Sequence, residues 1–121
     1  LHSTVGLGES IAELVARRAA ERPGAVAIED GGRRLTYAEL DLAGSRIAAA
    51  LRAAGVGDEE AVGVCLPRSW QAICAFLGTL RAGAAYVPVD PDHPAERRRE
   101  LLETAGARTV LTAPAYATGL P

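Results

Sequence analysis

The chain has 121 residues, 49% of them hydrophobic, 23% charged and 4% aromatic, with a net charge of −2. That length is one domain or part of one, able to bury roughly two-thirds of its unfolded surface. The near-neutral charge gives no pull toward nucleic acid, and the longest apolar runs are too short to span a bilayer.

The N-terminal end shows no basic segment followed by an apolar core, so no secretory signal is read there. Residues 1–9 carry two glycines and no periodicity, and are expected to be linker or tail. The run VGLGES offers Gly-x-Gly, but no strand precedes it, as a phosphate loop requires. Ser10 is the expected cap of a first helix, with Glu13 completing a capping box. Ile11, Leu14, Val15 and Ala19 recur at helical spacing, and Pro23 with Gly24 stops the helix.

AVAIE (25–29) alternates as a strand does. Asp30, Gly31 and Gly32 are turn chemistry, and RRLT (33–36) is the returning strand of a hairpin. Thr36 caps the second helix with Glu39 at the capping-box position. Its apolar line is Leu40, Ala43, Ile47, Leu51 and Ala54, and Gly55 is placed for a left-handed C-terminal turn. AVGVCL (61–66) is apolar on both faces, as in a strand covered on both sides, and Pro67 ends it. Ser69 caps the third helix, with Trp70, Ile73, Cys74 and Leu77 on its buried side.

Gly83 ends that helix and 86–89 is the next strand. Pro88 lacks an N–H, so this strand is expected to be short or at an edge. Pro94 suits the first turn of a fourth helix holding Leu101, Leu102 and Ala105, closed by Gly106. RTVLT (108–112) is a last short strand, and a loop or further element starts at Ala113. The fold class is therefore α/β: a β-hairpin followed by β-α-β-α-β with a mainly parallel sheet.

The residues that invite a chemical role have local structural explanations. His93 lies between two prolines, as a turn or cap residue. Asp90 and Asp92 form a conceivable Mg²⁺ pair, but their Pro-rich turn favours capping. Arg97, Arg98 and Arg99 point in three directions from a helix and read as a solvated face, with a carrier-domain or phosphate contact as the alternative. Glu39 reads as a cap; Tyr37 and Trp70 read as packing residues. Cys65 and Cys74, the only cysteines, read as buried reduced thiols of a cytoplasmic protein.

LRAGAAYVPVD (80–90) is physically a helix–turn–strand joint. It resembles the second core motif of the amino-acid adenylating domains of nonribosomal peptide synthetases, usually Leu-Lys-Ala-Gly-x-Ala-Tyr-Val-Pro-Ile/Leu-Asp. It departs at Arg81 for Lys and at Val89 for Ile or Leu. LTYAEL (35–40) resembles the first core motif without departure. The likeness extends over 10–121, with His93 where Tyr is common.

The resemblance implies the N-terminal portion of the adenylate-forming fold. It also implies a parent reaction that joins an amino acid to ATP, giving aminoacyl-AMP and pyrophosphate, then loads a carrier-domain phosphopantetheine thiol. ATP and Mg²⁺ belong to the intact domain. In this chain the expectation is no catalytic, cofactor or metal residue. No Gly/Ser/Thr-rich loop ends in Lys, and the sequence contains no Lys at all.

The expected partners are the remainder of the adenylation domain and a carrier domain, with neither nucleic acid nor membrane. Two alternatives stand beside this reading. One is a piece of a related acyl-CoA or aryl-acid ligase. The other is a naturally truncated, non-catalytic module that joins domains, binds a partner or self-associates, with an exposed sheet edge favouring pairing with another chain.

Overall fold

The structure, a computed structural model, describes residues 5–116, and the side chains of 11–116. The first helix, α1 (Val5–Glu21), starts earlier than expected. No proline interrupts 5–10, so the helical ladder runs through Gly6 and Gly8 at a propensity cost of about 1 kcal/mol each. Ser10 is thus an interior helical residue, not a cap, and the Gly-x-Gly run is helix. Of the expected tail, residues 5–9 are helical and residues 1–4 lie outside the described residues. Val15 is buried, whereas Leu14 is 40% exposed.

A hairpin follows, β1 (Val26–Asp30) and β2 (Arg33–Thr36), paired antiparallel with Asp30 opposite Arg33. The two-residue turn is Gly31–Gly32, and both have positive φ (54° and 89°), which only glycine adopts freely.

Helix α2 (Tyr37–Ala53) starts on the expected capping box. Thr36 N–H donates to Glu39 Oε1 at 2.8 Å, and Glu39 N–H donates to Thr36 Oγ1 at 3.1 Å. Its buried residues are Leu40, Gly44, Ala48 and Leu51; Ala54, expected on that face, is exposed. It packs on α3 (Trp70–Arg81), whose cap is Ser69, accepting from Ala72 N–H at 3.3 Å. The two helices approach closely at Gly44 and Gly78. A Cβ on Gly78 would lie 2.5 Å from Ile47 Cβ and 3.0 Å from the Gly44 carbonyl oxygen.

β3 (Ala61–Cys65), β4 (Ala85–Val89) and β5 (Thr109–Thr112) form a parallel sheet in the order β4-β3-β5. Helix α4 (Ala95–Ala105) lies between β4 and β5 in sequence. β3 is central and all but its first residue is buried, as two covered faces require. Val62 joins Ala48, Leu51, Ala82 and Ala84 on the α2/α3 face. Gly63 turns the other way, where an added Cβ would strike Leu102 of α4. The strand order reverses across β3, so successive crossovers place α3 and α4 on opposite faces. Pro88 sits in the edge strand β4, as its missing N–H demands.

α2, α3 and α4 end alike. Gly55, Gly83 and Gly106 have φ of 88°, 76° and 73°. The following amide reaches back to the last turn in each: Val56 to Leu51 O, Ala84 to Thr79 O and Ala107 to Leu102 O, at 2.9–3.1 Å. Among the described residues, no helix is long and apolar enough to cross a membrane.

Candidate functional site

The two motifs meet across the α2–α3 contact. Arg81, where the family pattern has Lys, reaches back to α2. Its Nη2 donates to Asp41 Oδ1 at 2.6 Å, and its Nη1 donates to the Asp41 carbonyl at 2.8 Å and to Ser45 Oγ at 3.1 Å. Asp41 directly follows the first motif. Arg52 Nη2 completes the seam by donating to the Arg81 carbonyl at 2.6 Å. A planar guanidinium serves three acceptors here in a way an ammonium does not.

Beyond Arg81, the small residues of the second motif form the joint. Gly83 takes the left-handed turn, and its carbonyl accepts from Glu59 N–H at 2.7 Å. Ala84 is buried, and Ala85 enters β4 with its N–H on the Glu60 carbonyl at 2.9 Å. Tyr86 packs edge-on to Phe76, with centroids 5.1 Å apart and planes at 87°. Burial pushes the Tyr86 hydroxyl pKa up.

The loops after β3 and β4 leave toward opposite faces, which opens a crevice at the strand ends. It encloses about 570 Å³ between Pro67, Arg68, Tyr86, Asp90, His93 and Leu101. Asp90 holds the turn: its Oδ1 accepts from Asp92 N–H at 2.8 Å, and its carbonyl accepts from His93 N–H at 3.1 Å. His93 Nε2 lies 3.9 Å from Asp90 Oδ2. Asp90 and His93 thus act as the turn residues expected. Among the described residues, no group of three His, Cys, Asp or Glu converges as metal ligands would. The crevice lining includes one guanidinium, Arg68, against two carboxylates, Asp90 and Asp92, a set that does not fit a triphosphate.

Arg98 departs from the solvated face expected of 97–99. It is 9% exposed. Its Nη1 donates to the Tyr116 carbonyl at 3.0 Å and lies 3.9 Å from Cys65 Sγ. Position 98 stands one turn before Leu102, on the stripe that faces the sheet. Arg97 pairs with Glu100, and Arg99 is exposed.

Trp70 is half-buried, with Arg33 stacked over its ring at 4.6 Å, and its backbone N–H donates to Asp30 Oδ2 at 2.9 Å. These contacts clamp the hairpin to the start of α3. Sequence reading gave Asp30 only a turn role, because a partner 40 positions away leaves no local signal. Ile73, expected to be buried, is 45% exposed and lines a groove of about 420 Å³ with Ile28, Phe76 and Tyr86.

Comparison with known proteins places this scaffold. The family model described as AMP-binding enzyme matches residues 15–120. An isonitrile lipopeptide synthase of Streptomyces coeruleorubidus is 47% identical over 104 residues, which is 86% of this chain and 7% of that protein. The probable non-canonical nonribosomal peptide synthetase CymA of Salinispora arenicola is 43% identical over 109 residues, 90% of this chain and 1% of that protein.

Among solved structures, the nonribosomal peptide synthetase FmoA3 with α-methyl-L-serine-AMP bound matches at TM-score 0.85 and 39% identity, over 90% of this chain and 12% of that one. The N-terminal subdomain of Klebsiella oxytoca NpsA, in complex with anthranilyl-AMSN, matches at 0.79 and 27%, over 92% and 28%. The chain thus spans a small part of the length of each relative. It belongs to the AMP-binding enzyme family, and its fold is part of the adenylate-forming fold of nonribosomal peptide synthetase adenylation domains.

Proposed function

We propose that this chain is the structural N-terminal segment, residues 10–121, of an amino-acid adenylation domain. The intact domain joins an amino acid to ATP with Mg²⁺, releases pyrophosphate, and passes the acyl group to a carrier-domain phosphopantetheine thiol in the cytoplasm. This segment supplies shape. The observation that carries the reading is the use of both motifs: LTYAEL caps and starts α2, LRAGAAYVPVD makes the α3–β4 joint, and the Arg81–Asp41 contact ties them. Their polar groups are spent on the fold. Phosphoryl-transfer chemistry needs cations free to face a developing charge. The higher identity to the synthetase holding α-methyl-L-serine-AMP than to the one holding anthranilyl-AMSN supports an amino acid over an aryl acid as the parent's substrate.

The test is ATP–pyrophosphate exchange. The 121-residue chain alone is expected to show none with any amino acid. Grafted into FmoA3 in place of the matched segment, it is expected to leave exchange and amino-acid preference as they were. Exchange by the isolated chain, or a graft that changes the preference, overturns the proposal.

A further inference from the structure

Helix α4 buries two residues, Arg98 and Leu102. Leu102 sits where Gly63 of β3 leaves room, since an added Cβ there would strike it. From Leu102 back to Arg98 the helix advances four residues, about 6 Å. From Gly63 on to Cys65, the next residue on the same face, β3 advances about 6.6 Å. The two steps match, so Arg98 lands over Cys65 at the carboxyl end of β3. The contact is there: Arg98 Nη1 lies 3.9 Å from Cys65 Sγ, and Arg98 is 9% exposed.

A guanidinium in such a place is costly unless oxygens accept from it, and a thiol is a weak acceptor. An oxygen comes from beyond β5. Pro114–Tyr116 is a single 3-10 turn, closed by Tyr116 N–H on the Ala113 carbonyl at 2.9 Å, and the Tyr116 carbonyl accepts from Arg98 Nη1 at 3.0 Å. Tyr116 also packs against the cluster of Cys65, Val89 and Leu102. Thr112 Oγ1 donates to the Cys65 carbonyl at 2.8 Å, which ties the last residue of β5 to the last of β3. The chain therefore leaves β5 over the α4 face, whereas the loop after β3 leads to α3 on the other face.

We infer that Arg98 is a conformational latch. Carried on α4, its guanidinium holds the turn Pro114–Tyr116 over the carboxyl end of β3 and thereby sets the course of the chain after β5. The turn is three residues long, and so short a 3-10 turn has little hold of its own. The buried charge contributes direction rather than stability: an uncharged side chain of similar size packs as well in that place, but offers the Tyr116 carbonyl nothing. Global stability and the placement of the turn therefore separate, as they do not where a residue only fills space. The latch stands on these contacts and not on the adenylation reading.

Arg98→Met in the 121-residue chain, followed by amide hydrogen exchange and urea unfolding, tests this. Methionine fills the site and has no donor. The urea midpoint is expected to hold, while the Tyr116 amide exchanges about 10- to 100-fold faster, as the loss of one charge-assisted hydrogen bond dictates. Chymotrypsin cleavage after Tyr116 quickens likewise, and Arg99→Met, on the exposed side of α4, changes neither. A folded Arg98→Met chain with Tyr116 as protected as before overturns the latch. So does a Tyr116 amide that speeds up only in step with Val64 in the centre of the sheet, because Arg98 is then general support. Where Arg98→Met yields no folded protein, the unaltered chain decides. Its Arg98 Nη protons and its Tyr116 amide are expected to share one protection factor to within about threefold, as a single opening demands. Separate openings, or a Tyr116 amide with no protection at all, overturn the latch.

Discussion

Replacing Gly78 with alanine isolates the α2–α3 contact. On an open helix the change is stabilising by about 1 kcal/mol. Here the new Cβ would lie 2.5 Å from Ile47 Cβ, where carbon atoms rest at about 3.5–4.0 Å, and 3.0 Å from the Gly44 carbonyl oxygen. Neither atom is the free end of a flexible side chain, so the helices themselves must part. Overpacking of this kind costs up to about 3 kcal/mol, which leaves a net loss of about 2 kcal/mol. At about 2 cal/mol/K of unfolding entropy per residue, that lowers Tm by roughly 8 °C. Urea unfolding followed by Trp70, the only tryptophan, measures it. Gly24→Ala is the control: no atom lies within 4 Å of its Cβ position, and the stability is expected to hold or rise by about 0.5 kcal/mol. If Gly78→Ala is as stable as the parent, or no worse than Gly24→Ala, the close approach of the helices is wrong.

Three further outcomes are expected. Thr36→Ala removes the α2 capping box and costs about 1 kcal/mol in urea unfolding; an unchanged midpoint counts against the cap. Asp30→Ala strips the acceptor from Trp70 N–H and costs about 1–2 kcal/mol, with a red shift of Trp70 emission as the hairpin loosens; unchanged emission and stability would show the clamp to be idle. Burial pushes the Cys74 thiol up, against the lowering field of Arg33. The unfolded chain then ionises first, so the contribution is intact below about pH 8.5 and is lost as pH rises through the higher folded value. Stability should fall on the alkaline side, Cys74→Ala should flatten the fall, and an identical pH profile refutes the assignment.

The elements legible in the sequence were those written by neighbours. Thr36 with Glu39, Ser69, Gly55, Gly83 and Gly106 set helix ends through residues at most a few positions away, and each stands where expected. The parallel sheet followed from the alternation of strands and helices, and Pro88 marked its own edge. What escaped depends on distant partners. Gly44 and Gly78 carry no local signal of their role, and only the crossing of α2 and α3 makes them necessary. Arg98 looked like part of a basic run until α4 was placed on the sheet. Ser10 had good cap chemistry, yet nothing before it ended the helix. Ile73 fits a buried stripe, but no described element covers it.

The central position of β3 has a bearing on biosynthesis. A ribosome releases this strand before either of its neighbours, and the whole of α3 must follow before β4 arrives. At about 5–20 residues per second, an oily ribbon with both flanks bare waits on the order of a second or more in the crowded cell. The nascent chain is most vulnerable to sticking to its neighbours in that interval.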